Sequence, residues 1–119
     1  MAHYVDGFVL PVPKARLEEY RAMAQKAGEV WKAHGALQFW ECVADDVKPG
    51  QHTSFPQAVL LKDDETVVFS FIVYPSREDR DRINAAVMGD PSICGMDPAT
   101  MPFDPQRMFW GGFRTLVEL

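Results

Sequence analysis

The spacing of apolar residues alternates along this chain between a period of two and a period of three to four, and the switches predict its elements. Tyr4–Leu10 is rich in β-branched and aromatic residues and runs into Pro11 and Pro13, which predicts a first strand closed by the prolines. Gly7 inside that run signals a bulge or a close backbone approach. From Lys14 to His34 the apolar positions Leu17, Tyr20, Met23, Ala27, Val30 and Trp31 recur at helical steps, with Glu18, Lys26, Glu29 and Lys32 mostly outside the stripe. Gly35 then stands where a helix-terminating glycine belongs. Alternation returns over Leu37–Ala44, with Gln38, Trp40, Cys42 and Ala44 on one face and Leu37, Phe39, Glu41 and Val43 on the other. Asp45 and Asp46 end this strand.

Val47 to Glu65 keeps no period. A connection of that length predicts either structure of its own or a functional segment such as a lid over a pocket, and Gln57–Lys62 suits a short strand and a helical turn equally. Thr66–Pro75 is apolar on both faces, which predicts a central strand covered on both sides. Pro75 stops it. Ser76 followed by Asp79 caps a second helix, Arg77–Met88, that ends at Gly89. The proline-rich segment Asp90–Gln106 reads as loop with at most one helical turn, and Arg107–Leu119 as a last strand with a bulge or kink at Gly111–Gly112.

Strand, helix, strand, strand, helix, strand is the split βαβ, ferredoxin-like order. It predicts an α+β domain over residues 1–119: a four-stranded antiparallel sheet with both helices on one face. The other face is then bare, yet the strands are apolar there too. A bare apolar sheet face needs a partner, and a two-fold homodimer through the sheet face is the simplest one.

Composition narrows the function classes. Of 119 residues 47% are hydrophobic, and eight Phe, three Trp and three Tyr make an aromatic-rich core. The net charge of −5 and the scattered Lys and Arg argue against nucleic acid and anionic membranes as partners. No run is long and apolar enough to span a bilayer, and no basic-then-apolar leader is visible, so a cytoplasmic protein is the expectation. Cys42 and Cys94 are then reduced, and their spacing fits no zinc or redox motif.

Five ordered stretches carry a resemblance over nearly the whole chain: "YVDGFVLPVP", "GAL", "DDV…G…TSFP", "VVFSFIVYPSREDRD" and "MPFDPQRMFWGGF". They resemble the DUF1428 (YbaA-like) family of small bacterial proteins. The resemblance implies the dimeric α+β barrel fold, whose wider superfamily includes cofactor-independent monooxygenases, haem-degrading enzymes and lactone isomerases. It brings no catalytic residues to carry over.

The residues themselves offer several candidates. Asp6 and Glu41 are carboxylates inside otherwise apolar strands, so each is either a general base or substrate anchor, or half of a structural ion pair with Arg107 or Arg114. His34, at the end of the first helix, suits a capping imidazole better than a pocket acid or base. His52 is the other candidate assistant in acid–base work. Asp45 and Asp46 with His52 could form a metal site, although their spacing matches no ligand motif. Tyr20, Trp31, Trp40, Tyr74, Trp110 and Arg107 are candidates to line an apolar pocket between helices and sheet. Asp104 and Arg107 are spaced to pair locally, and no nucleophile elbow surrounds Ser54 or Ser70. These readings converge on a dimeric small-molecule-binding domain without a resident cofactor. The alternative is a cofactor-independent oxygenase or isomerase acting on a small aromatic or apolar substrate.

Overall fold

The computed structural model describes residues 2–119. The chain runs β1 (Tyr4–Pro13), a turn of 3-10 helix (Lys14–Arg16), α1 (Leu17–Ala33), β2 (Gln38–Val43), a single helical turn α2 (Phe55–Ala58), β3 (Glu65–Tyr74), α3 (Arg77–Met88), a second 3-10 turn (Pro98–Thr100) and β4 (Phe109–Arg114). The strands form one sheet in the order β2-β3-β1-β4 with every neighbouring pair antiparallel. This is the expected ferredoxin-like α+β arrangement, with β3 central as its two-faced apolar sequence requires.

The two strands that flank the chain's ends differ most from the sequence reading. The first strand continues through Pro11 and Pro13, which pair with Val67 and Glu65 on β3. β4 reaches only as far as Val9, so the prolines lie where β1 has a neighbour on one side and needs no donor on the other. The last strand is shorter than expected and carries no bulge at its glycines: Gly7 faces Gly111 and Asp6 faces Gly112 in unbroken register. Gly112 answers a crowding need instead, since a Cβ there would meet the Tyr4 hydroxyl at 2.5 Å and an Arg80 nitrogen at 2.8 Å.

Both long helices end as their sequences dictate. After His34 the chain turns through Gly35 at φ +119°, with Ala36 N–H donating to the Trp31 carbonyl (3.0 Å) and Gly35 N–H to that of Lys32 (3.1 Å), a Schellman closure. Ser76 accepts the Asp79 N–H (3.1 Å) and donates its hydroxyl to the Asp79 carboxylate (3.0 Å), so the expected cap of α3 is present with Asp in place of Glu.

The helices cover one face of the sheet. Leu10, Val12 and Val68 pack under Tyr20 and Ala24 of α1, while Ile72 and Tyr74 pack under Ile83 and Val87 of α3. On the opposite face the long connection after β2 is a strap and not a lid. Ser54 caps α2 by accepting the Gln57 N–H, and Val59 just beyond it is fully buried against Val9 and Val67. Those two side chains point away from the helices, so the strap covers the far face and leaves the helix side open. Beyond it, Trp40, Phe69, Phe109 and Phe113 remain exposed on that face.

Candidate functional site

A groove of about 880 Å³ opens between α1 and β2 on the helix side of the sheet. Its walls follow from two periodicities. Leu17, Tyr20, Ala24 and Gly28 form one stripe of α1, and Phe39, Glu41 and Val43 are the inward-pointing residues of β2. Gly28 sets how closely helix and strand approach, because a Cβ there would lie 2.6 Å from the Phe39 ring. A Gly28→Ala variant gains helix propensity worth about 1 kcal/mol and loses about 1–3 kcal/mol to overpacking. The expected result is a net loss of stability, read by urea denaturation, with Phe39 displaced into the groove.

Within these walls one polar pair stands out. The Tyr20 hydroxyl donates to Glu41 Oε1 at 2.6 Å. Among the described residues no cation pairs with Glu41. The residue is exposed along the groove mouth, while partial withdrawal of its carboxyl from water pushes the pKa up, and Tyr20's donation acts in the opposite sense. Burial, the Glu41 charge and their hydrogen bond all push the Tyr20 hydroxyl up, so it stays a neutral donor. A carboxyl whose pKa is raised by burial in a groove is a candidate for proton transfer.

Asp6, the other carboxylate inside a strand, is locked. It is 1% exposed, and Arg80 binds it through Nε (3.1 and 3.0 Å) and Nη2 (2.9 Å). Tyr74 donates its hydroxyl to Oδ2 at 3.0 Å and Asn84 adds a longer contact at 3.3 Å. Trp31 Nε1 donates in turn to Asn84 Oδ1 (3.0 Å). Arg80 lies over the rings of Tyr4 and Trp110, with centroids at 5.2 and 5.9 Å. The expected ion pair is present with a different partner: Arg80, not Arg107 or Arg114, because α3 crosses β1 and places its fourth residue over Asp6. The sequence does carry a signal for Arg80 and Asn84. They share the face of α3 that buries Ile83 and Val87.

The remaining candidates scatter. Of the six expected pocket residues, Tyr20 points into the groove, while Trp40 borders it on β2 with its ring on the far face of the sheet, stacked on Phe71. Tyr74 is fully buried in the core, and Trp31 is turned toward α3 by its bond to Asn84. Trp110 stacks on Phe8 at 6.0 Å across the β1–β4 pair. Arg107 holds Glu65 (2.7 and 2.6 Å), Asp104 (2.8 Å) and the Leu60 carbonyl (3.1 Å), a clamp distant from the groove. His34 bonds Asp90 at 3.1 Å beside the helix end. Asp45, Asp46 and His52 are exposed, and among the described residues no three His, Cys, Asp or Glu side chains gather as a metal would need. Nor is any helix among them long and apolar enough to cross a membrane.

Known proteins place this geometry. The fold is similar to that of a dimeric ferredoxin-like protein from an uncultured marine organism, with a TM-score of 0.63 at 12% identity over 100% of both chains. An uncharacterized NIPSNAP domain protein from Burkholderia xenovorans gives 0.57 at 12% identity over 97% of this chain and 94% of its own. In sequence the chain is 46% identical to the uncharacterized protein YbaA of Escherichia coli K12 over 115 residues, 97% of each protein, and equally so to YbaA of Shigella flexneri. The family described as "Protein of unknown function (DUF1428)" matches residues 3–105, and the chain belongs to the DUF1428 family.

Proposed function

We propose that this protein is a homodimeric small-molecule-binding domain that holds a small aromatic or apolar ligand in the α1–β2 groove, within the cytoplasm. The observation that carries the reading is the groove itself: Leu17, Ala24, Phe39 and Val43 surround the Tyr20–Glu41 pair, with Arg21, Gln25, Glu29 and Lys32 along the margin, a mixture of apolar wall and few polar groups that suits a ligand site. The sheet's far face supports the dimer. Trp40 stacks on Phe71 there, and Phe109 and Phe113 stand exposed at the other edge, an apolar surface suited to a second copy. A structural neighbour described as dimeric is consistent with it.

Titration with indole, followed by ¹H–¹⁵N spectra, tests the ligand site. Shifts are expected at Tyr20, Gly28, Phe39 and Glu41. Shifts confined to the far sheet face, or none, refute the groove as the site. Sedimentation equilibrium tests the dimer: the wild type is expected at twice the chain mass, and Phe113→Asp as a folded monomer. A wild-type monomer at all concentrations overturns it. Glu41 also favours a second reading, a cofactor-independent oxygenase or isomerase that uses this carboxyl for acid–base work, because among the described residues no cation pairs with it and burial pushes its pKa up.

A further inference from the structure

The far face of the sheet carries a hollow that the chain does not fill. Gly7 and Gly111 are register partners on β1 and β4, and both face away from the helices. Neither has a positive φ, so the backbone does not ask for glycine at either place. Among the described residues nothing would come within 4 Å of a Cβ at Gly7, and one at Gly111 would meet only the Phe113 ring, at 3.6 Å. Glycine inside a strand weakens it and marks the close approach of something else. The same register row continues through Phe71 to Trp40, whose rings stack at 5.9 Å with an interplanar angle of 18°. One half of the row is therefore raised and the other half sunken.

We infer that a second copy of this chain fills the hollow: in the homodimer, on whose proposal above this rests, the Trp40 ring of each protomer lies over Gly111 of the other copy, and Phe71 over Gly7. A two-fold axis parallel to the strands, between β3 and β1, sets β2 against β4 and β3 against β1 of the other copy. The whole row is then matched bump to hollow. Packed sheets lie about 10 Å apart, a gap that one large ring opposite a glycine fills and two rings overfill. A two-fold axis across the strands would set Trp40 against Trp40 and glycine against glycine, crowding one side and leaving a void at the other. In the flanking rows the strand-parallel axis sets Phe113 against Gln38 and Phe109 against Cys42, again large against smaller. The strap over Val9 bounds the contact at its own end. These three rows carry no charged side chain, so two copies of a chain with net charge −5 meet there without direct repulsion. Trp40, Phe69, Phe109 and Phe113 are each about half exposed, which puts roughly 400 Å² of aromatic surface on the face. Phe71, Val73 and the strap's Phe55 bring the area toward the roughly 800 Å² that each side of a stable interface buries.

Within one chain Trp40 and Gly111 stand about 14 Å apart with β3 and β1 between them, so one compensates for the other only across the interface. The test measures dimer dissociation of the full chain by sedimentation equilibrium, with circular dichroism melts to check that each variant is folded. Gly111→Phe is expected to weaken the dimer about a hundredfold or more. Trp40→Ala is expected to weaken it about tenfold or more. The double variant exchanges bump and hollow, and is expected to dimerise more tightly than either single variant. An equimolar mixture of the two single variants is expected to give mostly heterodimer by native mass spectrometry, since both of its contacts then pair a large residue with a small one. A double variant no tighter than Trp40→Ala overturns the interlock and leaves the homodimer. So does a mixture that forms no excess of heterodimer. Trp40→Ala removes an exposed ring, so a Trp40→Ala dimer as tight as wild type overturns the interlock even where Gly111→Phe does not fold. A wild-type chain that is monomeric at every concentration overturns the homodimer itself.

Discussion

Replacing Arg80 by alanine is expected to lower the unfolding free energy by about 3–5 kcal/mol, because it leaves a buried carboxylate without its counter-ion. Asp6 is 1% exposed and Arg80 supplies three of its contacts, while Tyr74 and Asn84 donate only neutral hydrogen bonds. Asp6→Asn is expected to cost less, about 1–3 kcal/mol. Arg80 keeps Asp81 at 2.9 Å and the rings of Tyr4 and Trp110, so the cation is not stranded as the anion would be. Urea denaturation of both single variants and the double variant measures this asymmetry. The double variant is expected to be more stable than Arg80→Ala alone, since it removes the stranded charge. An Arg80→Ala cost below about 1 kcal/mol would show that Asp6 is not held by this pair, and would reopen it as a site residue.

That asymmetry marks where the sequence is informative. Period and capping made the layout legible: the α1 stripe, the Gly35 closure, the Ser76 cap and the two-faced β3 all depend on neighbours within a few residues. Asp6 and Glu41 were also visible as carboxylates in apolar strands. Their opposite fates were not, because each depends on which helix crosses above. Arg80 is 74 residues from Asp6 in the chain, and Tyr20 is 21 from Glu41. The same limit explains the strap. Nothing local to Val47–Glu65 says that Val59 will bury itself against Val9 and Val67 on the far face. The double glycine of β4 misled for a different reason: its need is space for Tyr4 and Arg80 over Gly112, which a bulge would also have explained.

Arg107→Ala is the second large effect, and its size should depend on pH. Glu65 opens β3 at 6% exposure, gripped by both Arg107 terminal nitrogens at 2.7 and 2.6 Å. The guanidinium holds the Glu65 carboxyl below its ordinary value, against burial, which pushes it up. A depressed folded-state pKa gives stability that is present above the unfolded value, about 4.3, and lost as the pH falls through the folded one. At neutral pH the variant is expected to lose about 3 kcal/mol, since Glu65 would be left buried and ionised. Below about pH 4 the deficit should shrink, because wild type loses the ion pair while the variant's Glu65 takes up a proton. Arg107 also donates to the carbonyls of Val59 and Leu60, where Leu60 turns at φ +51°. Amide exchange along Val59–Lys62 should therefore speed up in the variant more than exchange at β2. A deficit that is constant from pH 3 to 7 would mean that the clamp acts through those carbonyls alone (roughly 1 kcal/mol each), with Glu65 carrying no part of it.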